Sequence, residues 1–247
     1  MLIDTHAHLN FNAFKNDFDK IIKRSLAEDI WMINVGSNYE TSKKAVEIAE
    51  KYNGVFAAIG LHPIHAEDEN FNASKYRNLC QPDKVVAIGE IGLDYLKDYK
   101  LFKERQKEIF LKQLALAKEL NLPIIIHCRM AHDDLLEILK DYQLPGVIHC
   151  FTGSWKQAQR YLDMGFYLGI NGIIYKMDLE EVIEKTPMEK ILIETDCPYL
   201  TPPKPGVKRN EPIFVKYIVQ EIANIKNIDF QKVAEITSQN ARNLFRI

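Results

Sequence analysis

Eight short runs of β-branched and aliphatic residues punctuate the chain, at residues 2–6, 30–36, 55–61, 85–90, 124–128, 147–151, 166–171 and 191–196. Such runs read as strands. The stretches between them, at 39–52, 103–120 and 133–142, repeat their apolar positions with helical spacing. Ser37 or Asn38 is available to cap the first of these helices, and Asn121-Leu122-Pro123 is a natural stop for the second. Two more helices are expected at 213–225 and 230–245. Runs such as VVAIGE, PIIIHC and KILIETD are almost continuously apolar, as parallel strands covered on both faces must be. Strand and helix alternating through eight repeats in 247 residues predicts an α/β fold, a (β/α)8 barrel, with a doubly wound open sheet as the alternative. No linker or low-complexity segment interrupts the pattern, so residues 1–247 read as one domain. TPPKPGVKRNEP, at 201–212, is the one Pro-rich, basic loop.

In such a barrel the groups that do chemistry stand at the C-terminal ends of the strands. Five of the seven histidines fall there. His6 and His8 close the first run, His62 follows the third, His127 closes the fifth and His149 the sixth, while Glu90 closes the fourth and Asp196 the eighth. His6 and His8 are two positions apart, so on a strand they face the same way. Alone, that pair would suit polar residues near a chain end or hydrogen-bonded core histidines. Ligand-type residues at so many strand ends point to a shared site.

Imidazole nitrogens with carboxylate oxygens suit a hydrolytic divalent ion such as Zn²⁺, Mn²⁺ or Mg²⁺, whereas a structural site would more often be closed by thiolates. Cys128 and Cys150 each follow a ligand-type histidine, and on a strand they would face the helices and pack there. Four histidines and two carboxylates exceed one ordinary site and fit two ions with Glu90 between them.

Charge and cysteine usage bound the remaining possibilities. Lys plus Arg number 32 against 34 Asp plus Glu, so the chain has no basic field, and any grip on nucleic acid is local. A long duplex footprint is disfavoured. The four cysteines form no C-x-x-C pair and suit a reducing compartment. No run reaches the length of a membrane span, and the first strand starts too early to leave room for a signal peptide, so a cytoplasmic location is expected.

The ordered set DTHAHL (4–9), GLHP (60–63), IGEIGLDY (88–95), PIIIHCR (123–129), HCFTGS (149–154), ETDCPYL (194–200) and KRNEP (208–212) resembles the TatD family of metal-dependent deoxyribonucleases. That family lies within the amidohydrolase-like hydrolases, and the resemblance spans essentially the whole chain. It implies that His6 and His8 bind one ion, His127 and His149 the other, that Glu90 bridges them, and that Asp196 completes the site. Many binuclear amidohydrolases place a modified lysine at the bridging position, where this chain has Glu90 as TatD-like proteins do. Two departures stand out. The family commonly reads RGKRNEP where this chain reads GVKRNEP, and it often has an acidic residue where this chain has Met130.

The reaction expected on this basis is phosphodiester hydrolysis by a water activated between the two ions, at DNA ends or on short single-stranded DNA, by a monomer. Asp196 would take the water's proton and pass it to the leaving oxygen. His62, Arg129 and Lys208 or Arg209 are the candidates to hold phosphate, although Arg129 equally suits an ordinary loop ion pair. Asp94 and Glu194 are expected to orient ligands, with a direct role for Glu194 left open. Phe11, Phe14, Tyr95 and Tyr99 either stack on bases or pack. The same chemistry would serve an amidase, a lactonase or an aminoacyl-ester hydrolase, and a non-catalytic metal-binding scaffold is the further alternative.

Overall fold

The computed structural model describes residues 1–203 and 208–247. Its strands are β1 (Leu2–Ala7), β2 (Ile30–Val35), β3 (Val55–Ile59), β4 (Val85–Asp94), β5 (Ile124–Arg129), β6 (Gly146–Ile148), β7 (Tyr167–Ile170) and β8 (Ile191–Ile193). They form one sheet in sequence order, every neighbouring pair parallel. The helices are α1 (Phe18–Ala27), α2 (Tyr39–Ala49), α3 (Ala73–Leu79), α4 (Lys103–Leu120), α5 (His132–Leu139), α6 (Trp155–Asp163), α7 (Glu180–Lys185), α8 (Val215–Lys226) and α9 (Phe230–Phe245).

The two sheet edges meet. Ala7 and Cys197 form a parallel bridge, Asp196 N–H donates to the His6 carbonyl at 2.8 Å, and His8 N–H donates to the Cys197 carbonyl at 3.0 Å. The architecture is therefore a (β/α)8 barrel, and the open-sheet alternative falls. Closure also fixes the site, because it seats the segment after β8 directly against the end of β1.

Alternation along the strands builds two cores. Ile3, Ile33, Val35, Ala58, Val86, Ile125, Val147 and Leu192 form one cluster with Ala241, Leu244 and Phe245 of α9, which plugs one end of the barrel. Their neighbours, such as Leu2, Met32, Ala57, Ile88, Ile126 and Ile148, join the larger cluster with the helices. Truncating a buried Ile to Ala in such a layer costs about 2–5 kcal/mol. Polar side chains can be tolerated only where they find partners, and that condition is met near the other end.

Local signals set the boundaries. Asn38 accepts from Thr41 N–H and caps α2, while Asn121, at φ 51°, ends α4 in the left-handed conformation before Pro123 opens β5. Several strands stop earlier than their apolar runs suggest, β6 and β8 by the most. β6 ends at Ile148 and β8 at Ile193, and the chain then turns through positive φ at Cys150 (45°) and Asp196 (55°). Cys150 accordingly does not face the helices as a strand residue would. Its thiol lies 3.5 Å from Asn171 Oδ1, whereas Cys128 does pack outward, 3.3 Å from His132 Nδ1. α1, α3, α6 and α7 complete the helical layer without having stood out in the sequence. Among the described residues no helix is long and apolar enough to cross a membrane.

Candidate metal centre

Glu90 sits in β4, a strand whose ten residues are all buried. Its two oxygens face different histidines. Oε2 lies 3.4 Å from His6 Nε2 and 3.9 Å from His8 Nε2, while Oε1 lies 2.9 Å from His127 Nδ1, 3.4 Å from His62 Nε2 and 3.7 Å from His149 Nε2. Asp196 Oδ1 approaches His8 Nε2 at 3.4 Å and His149 Nε2 at 3.9 Å. All seven strand-end residues singled out in the sequence thus converge on one pocket. Close backbone packing makes room for them. At Gly92, with φ 142°, a Cβ would stand 2.0 Å from the His127 carbonyl oxygen.

For His8, a hydrogen bond on the far side of the ring sets which nitrogen carries the proton. His8 Nδ1 donates to the Val35 carbonyl at 2.8 Å, which leaves the lone pair of Nε2 facing the pocket. That atom is 3.2 Å from His6 Nε2. Two imidazole lone pairs at this separation repel unless a proton or a cation lies between them. Zinc–nitrogen bonds of about 2.0–2.1 Å would suit both atoms after small adjustments. His6, His8 and Glu90 offer ligand atoms mutually within 4.8 Å, and so do His6, His149 and Asp196. A donor set of imidazoles and carboxylates fits divalent ions, and the nearby thiols add nothing, since burial pushes those of Cys150 and Cys197 well above their ordinary value.

Carboxylates stand behind two of the rings. Glu194 Oε1 lies 2.7 Å from His149 Nδ1, a close ion pair not aligned as a hydrogen bond, and the same oxygen accepts from Cys150 N–H and Asn171 Nδ2, each at 2.8 Å. Burial, the largest single influence, would depress His149, but the surrounding carboxylates, Glu194 foremost with Glu90 and Asp196, together outweigh it and raise the imidazole to about 10. Asp94 Oδ2 lies 3.0 Å from His127 Nε2, and its Oδ1 accepts from Leu96 N–H at 2.9 Å. Desolvation would raise the Glu90 carboxyl, yet the surrounding imidazoles, His62 and His6 foremost, hold it well below the usual carboxylate range. For Asp196, too, burial is outweighed, here by the His8 hydrogen bond and the His149 charge, and the carboxyl is lowered. Both acids are poised as anions.

His62 differs from the other four. Its Nδ1 accepts from Ile64 N–H at 3.1 Å, so the proton of the neutral ring resides on Nε2, the atom that points at Glu90. Burial pushes this imidazole down to about 4, which keeps it neutral. A protonated Nε2 cannot ligate a metal but can donate a hydrogen bond. His62, Glu90 and His127 lie close enough together to suggest a third site, and the Ile64 bond argues against it.

The expected phosphate contacts separate. Arg129 and Lys208 are exposed, and neither cation has a hydrogen-bond or ion-pair partner among the described residues. Arg209 is committed elsewhere. Its guanidinium pairs with Asp17 at 2.6 and 3.2 Å, donates to the Ala13 carbonyl at 2.6 Å, reaches Glu211 at 3.3 Å and covers the Phe14 ring at 4.3 Å. The Gly206-Val207 departure lies outside the described residues. Of the aromatic candidates, Phe14 and Tyr95 are buried, Phe11 stacks on the His8 ring with centroids 4.2 Å apart, and Tyr99 is exposed.

Several supporting residues escaped the sequence reading. Asn171, at the end of β7, satisfied the same strand-end rule that exposed the histidines. Asp4 was hidden inside the DTHAHL motif. Its carboxylate accepts from Thr195 N–H at 2.9 Å and from Thr195 Oγ at 2.6 Å, while Asn210 Nδ2 donates to the Thr195 carbonyl at 2.8 Å. The residue before Asp196 is therefore clamped from both sides, by bonds no local pattern announces.

Comparison with known proteins agrees with this geometry. The family described as TatD related DNase matches residues 3–246. The uncharacterized metal-dependent hydrolase YabD of Bacillus subtilis is 45% identical, with 100% of both chains covered. The 3'-5' ssDNA/RNA exonuclease TatD of Klebsiella pneumoniae is 36% identical over 100% of this chain and 98% of its own. The crystal structure of the TatD homologue YJJV from Escherichia coli superimposes with a TM-score of 0.93 at 31% identity, covering 100% of this chain and 98% of that one. With a family match from end to end, and with this barrel and this constellation of histidines and carboxylates, the chain belongs to the TatD family.

Proposed function

We propose that the protein is a divalent-metal-dependent exonuclease that removes nucleotides from the ends of single-stranded DNA or RNA, acting as a monomeric single-domain barrel in the cytoplasm. The observation that carries this reading is the division of Glu90, one oxygen toward His6 and His8 and the other toward His127 and His149. A carboxylate so placed is suited to bridge two ions. His6, His8 and Asp196 would hold one, and His127 and His149 the other. Relatives named as 3'-5' ssDNA/RNA exonucleases support the polarity and the substrate, and four unpaired cysteines suit a reducing compartment.

When bound, the two ions lower the pKa of water and neutralise charge building on the phosphoryl group. The remaining work falls to side chains. Asp196, ionised and at the pocket, accepts the proton of the attacking water and returns it to the leaving 3' oxygen. His62 donates its Nε2 proton to a non-bridging phosphoryl oxygen, a role its neutral tautomer permits. Arg129 offers an unpaired planar fork to the same phosphate or the next one, and Lys208 an unpaired ammonium.

The test is a panel of metal-loaded assays on single-stranded DNA, single-stranded RNA, duplex DNA, a generic phosphodiester and a set of esters and amides. Release of mononucleotides from single strands, abolished by chelation and lowered roughly 10²–10⁴-fold in Asp196→Asn, is the expected result. Hydrolysis confined to carbonyl substrates would overturn the nuclease reading, and no hydrolysis of any substrate would favour a scaffold.

A further inference from the structure

The βα loops around the mouth are unlike one another in charge. The loop after β3 carries Glu67, Asp68 and Glu69, whereas the loop after β4 and the last residue of β5 carry Lys97, Lys100 and Arg129 against one exposed acid in that loop, Asp98, and another, Asp133, in the first turn of α5. None of these three cations has a side-chain partner among the described residues. The next two lysines along the chain are different, since Lys103 and Lys107 both pair with Asp134, at 2.8 and 2.9 Å. Glu104, the acid that opens α4, is itself answered by Lys107.

The loops after β4 and β5 hold three of the seven large apolar side chains exposed among the described residues, Tyr99 at 40%, Met130 at 70% and Leu101 at 80%. They are neighbours in space. β4 and β5 pair with Asp94 opposite Arg129, and Tyr95 N–H donates to the Arg129 carbonyl at 2.9 Å. The 3-10 turn Lys97–Phe102 is pinned to the strand end by buried Gln106, whose Nε2 donates to the carbonyls of both Asp94 and Tyr99 at 2.8 Å. Asp94 in turn contacts His127. Cations and apolar side chains are thus gathered at the adjoining ends of β4 and β5, beside the metal centre.

On the reading of the centre as a single-strand exonuclease, we infer that this group of side chains is a ledge for the nucleotides behind the scissile bond. Arg129 shares the strand face of His127, two residues away, and meets the phosphate next to the reacting one. Tyr99, Leu101 and Met130 lie beneath bases, and Lys97 and Lys100 meet phosphates further along. Three cations in a chain of net charge −2 suit a short single strand and not a duplex footprint. The acidic loop after β3 repels the strand from the opposite side of β4 and gives it one direction to take.

The experiment compares kcat/KM for an eight-nucleotide single strand with that for a dinucleotide, on the metal-loaded protein, across a range of salt. The wild type should favour the longer strand, and the ratio should fall about tenfold in the Lys97→Ala/Lys100→Ala double variant and in Tyr99→Ala. Removing two phosphate contacts should also flatten the salt slope by about 1.4. Lys97→Arg/Lys100→Arg and Tyr99→Phe should restore the ratio, which mere damage to the loop would not allow. An unchanged ratio and slope in every variant, with strands still cleaved, would overturn the ledge and leave the nuclease reading standing. Failure of the wild type to cleave any strand would remove both. Concentration-dependent dimerisation abolished by the same variants would make the surface a self-association face and overturn the proposal.

Discussion

Glu194 Oε1 lies 2.7 Å from His149 Nδ1, and among the described residues Glu194 Oε2 has no hydrogen-bond partner. One oxygen is thus committed to the ring and to its two other donors, Cys150 N–H and Asn171 Nδ2. Carboxylates behind ligating histidines fix the ring and raise its basicity, and losing one typically costs 10–100-fold in metal affinity or activity. Glu194→Gln should weaken metal binding about that much in a competition titration against a chromophoric chelator. Gly169→Ala should do the same from a distance, because a Cβ there would stand 2.5 Å from Glu194 Oε2 and force the carboxylate aside. Wild-type affinity in both variants would show that Glu194 serves the fold and not the centre.

His62 makes the opposite prediction. Its proton is on the nitrogen that faces the pocket, so its removal should spare the metals. His62→Ala should retain the wild-type ion stoichiometry by elemental analysis and lose turnover roughly 10²–10³-fold, the range of a single oxyanion donor lost from a preorganised site. Loss of an ion together with the imidazole would make His62 a ligand and reverse the tautomer assignment.

The features that converge on the pocket were readable from one rule, that polar residues ending apolar runs stand at a barrel's mouth. That rule placed His6, His127 and Glu90 because their strands run to or past them. It placed His149 and Asp196 in the correct pocket with the wrong backbone, since β6 and β8 end before either residue and positive φ turns the chain back. Closure of the barrel supplies the bonds that make those turns possible, and closure joins residues nearly the whole chain apart. The Asp4–Thr195 contacts were invisible for the same reason. Charge alone did not reveal the partners of Arg209, whose basic loop resembled a phosphate grip, because nothing in the local sequence shows that Asp17 lies within reach.

Arg209 therefore should behave as a clamp. It joins the loop after β8 to the segment preceding α1, and Arg24 of α1 pairs with Glu211 beside it. Both partners are partly exposed, so the coupling is modest. A double-mutant cycle of Arg209→Gln with Asp17→Asn should return about 0.5–1 kcal/mol in urea unfolding. Asp17→Asn should affect catalysis as Arg209→Gln does, because each opens the same bond. A rise in KM with Arg209→Gln alone would return the guanidinium to the substrate.

His132 gives stability its own dependence on acid. It opens α5 with Nδ1 3.1 Å from Tyr161 Oη and 3.3 Å from Cys128 Sγ, and burial lowers the imidazole below its ordinary 6.5, with Asp133 opposing only in part. The unfolded chain then takes up a proton at a pH where the folded one does not. Stability is fully present above pH 6.5 and is lost as pH falls through that value toward the folded pKa. The loss is at most about 1.4 kcal/mol per pH unit within that window. His132→Asn should keep a polar atom near Tyr161 while abolishing this titration. With metal saturating, so that the pocket histidines stay bound, the urea midpoint of the wild type should fall more steeply below pH 6.5 than that of the variant. Parallel profiles would show that His132 accepts its proton in the folded state as readily as in the unfolded one.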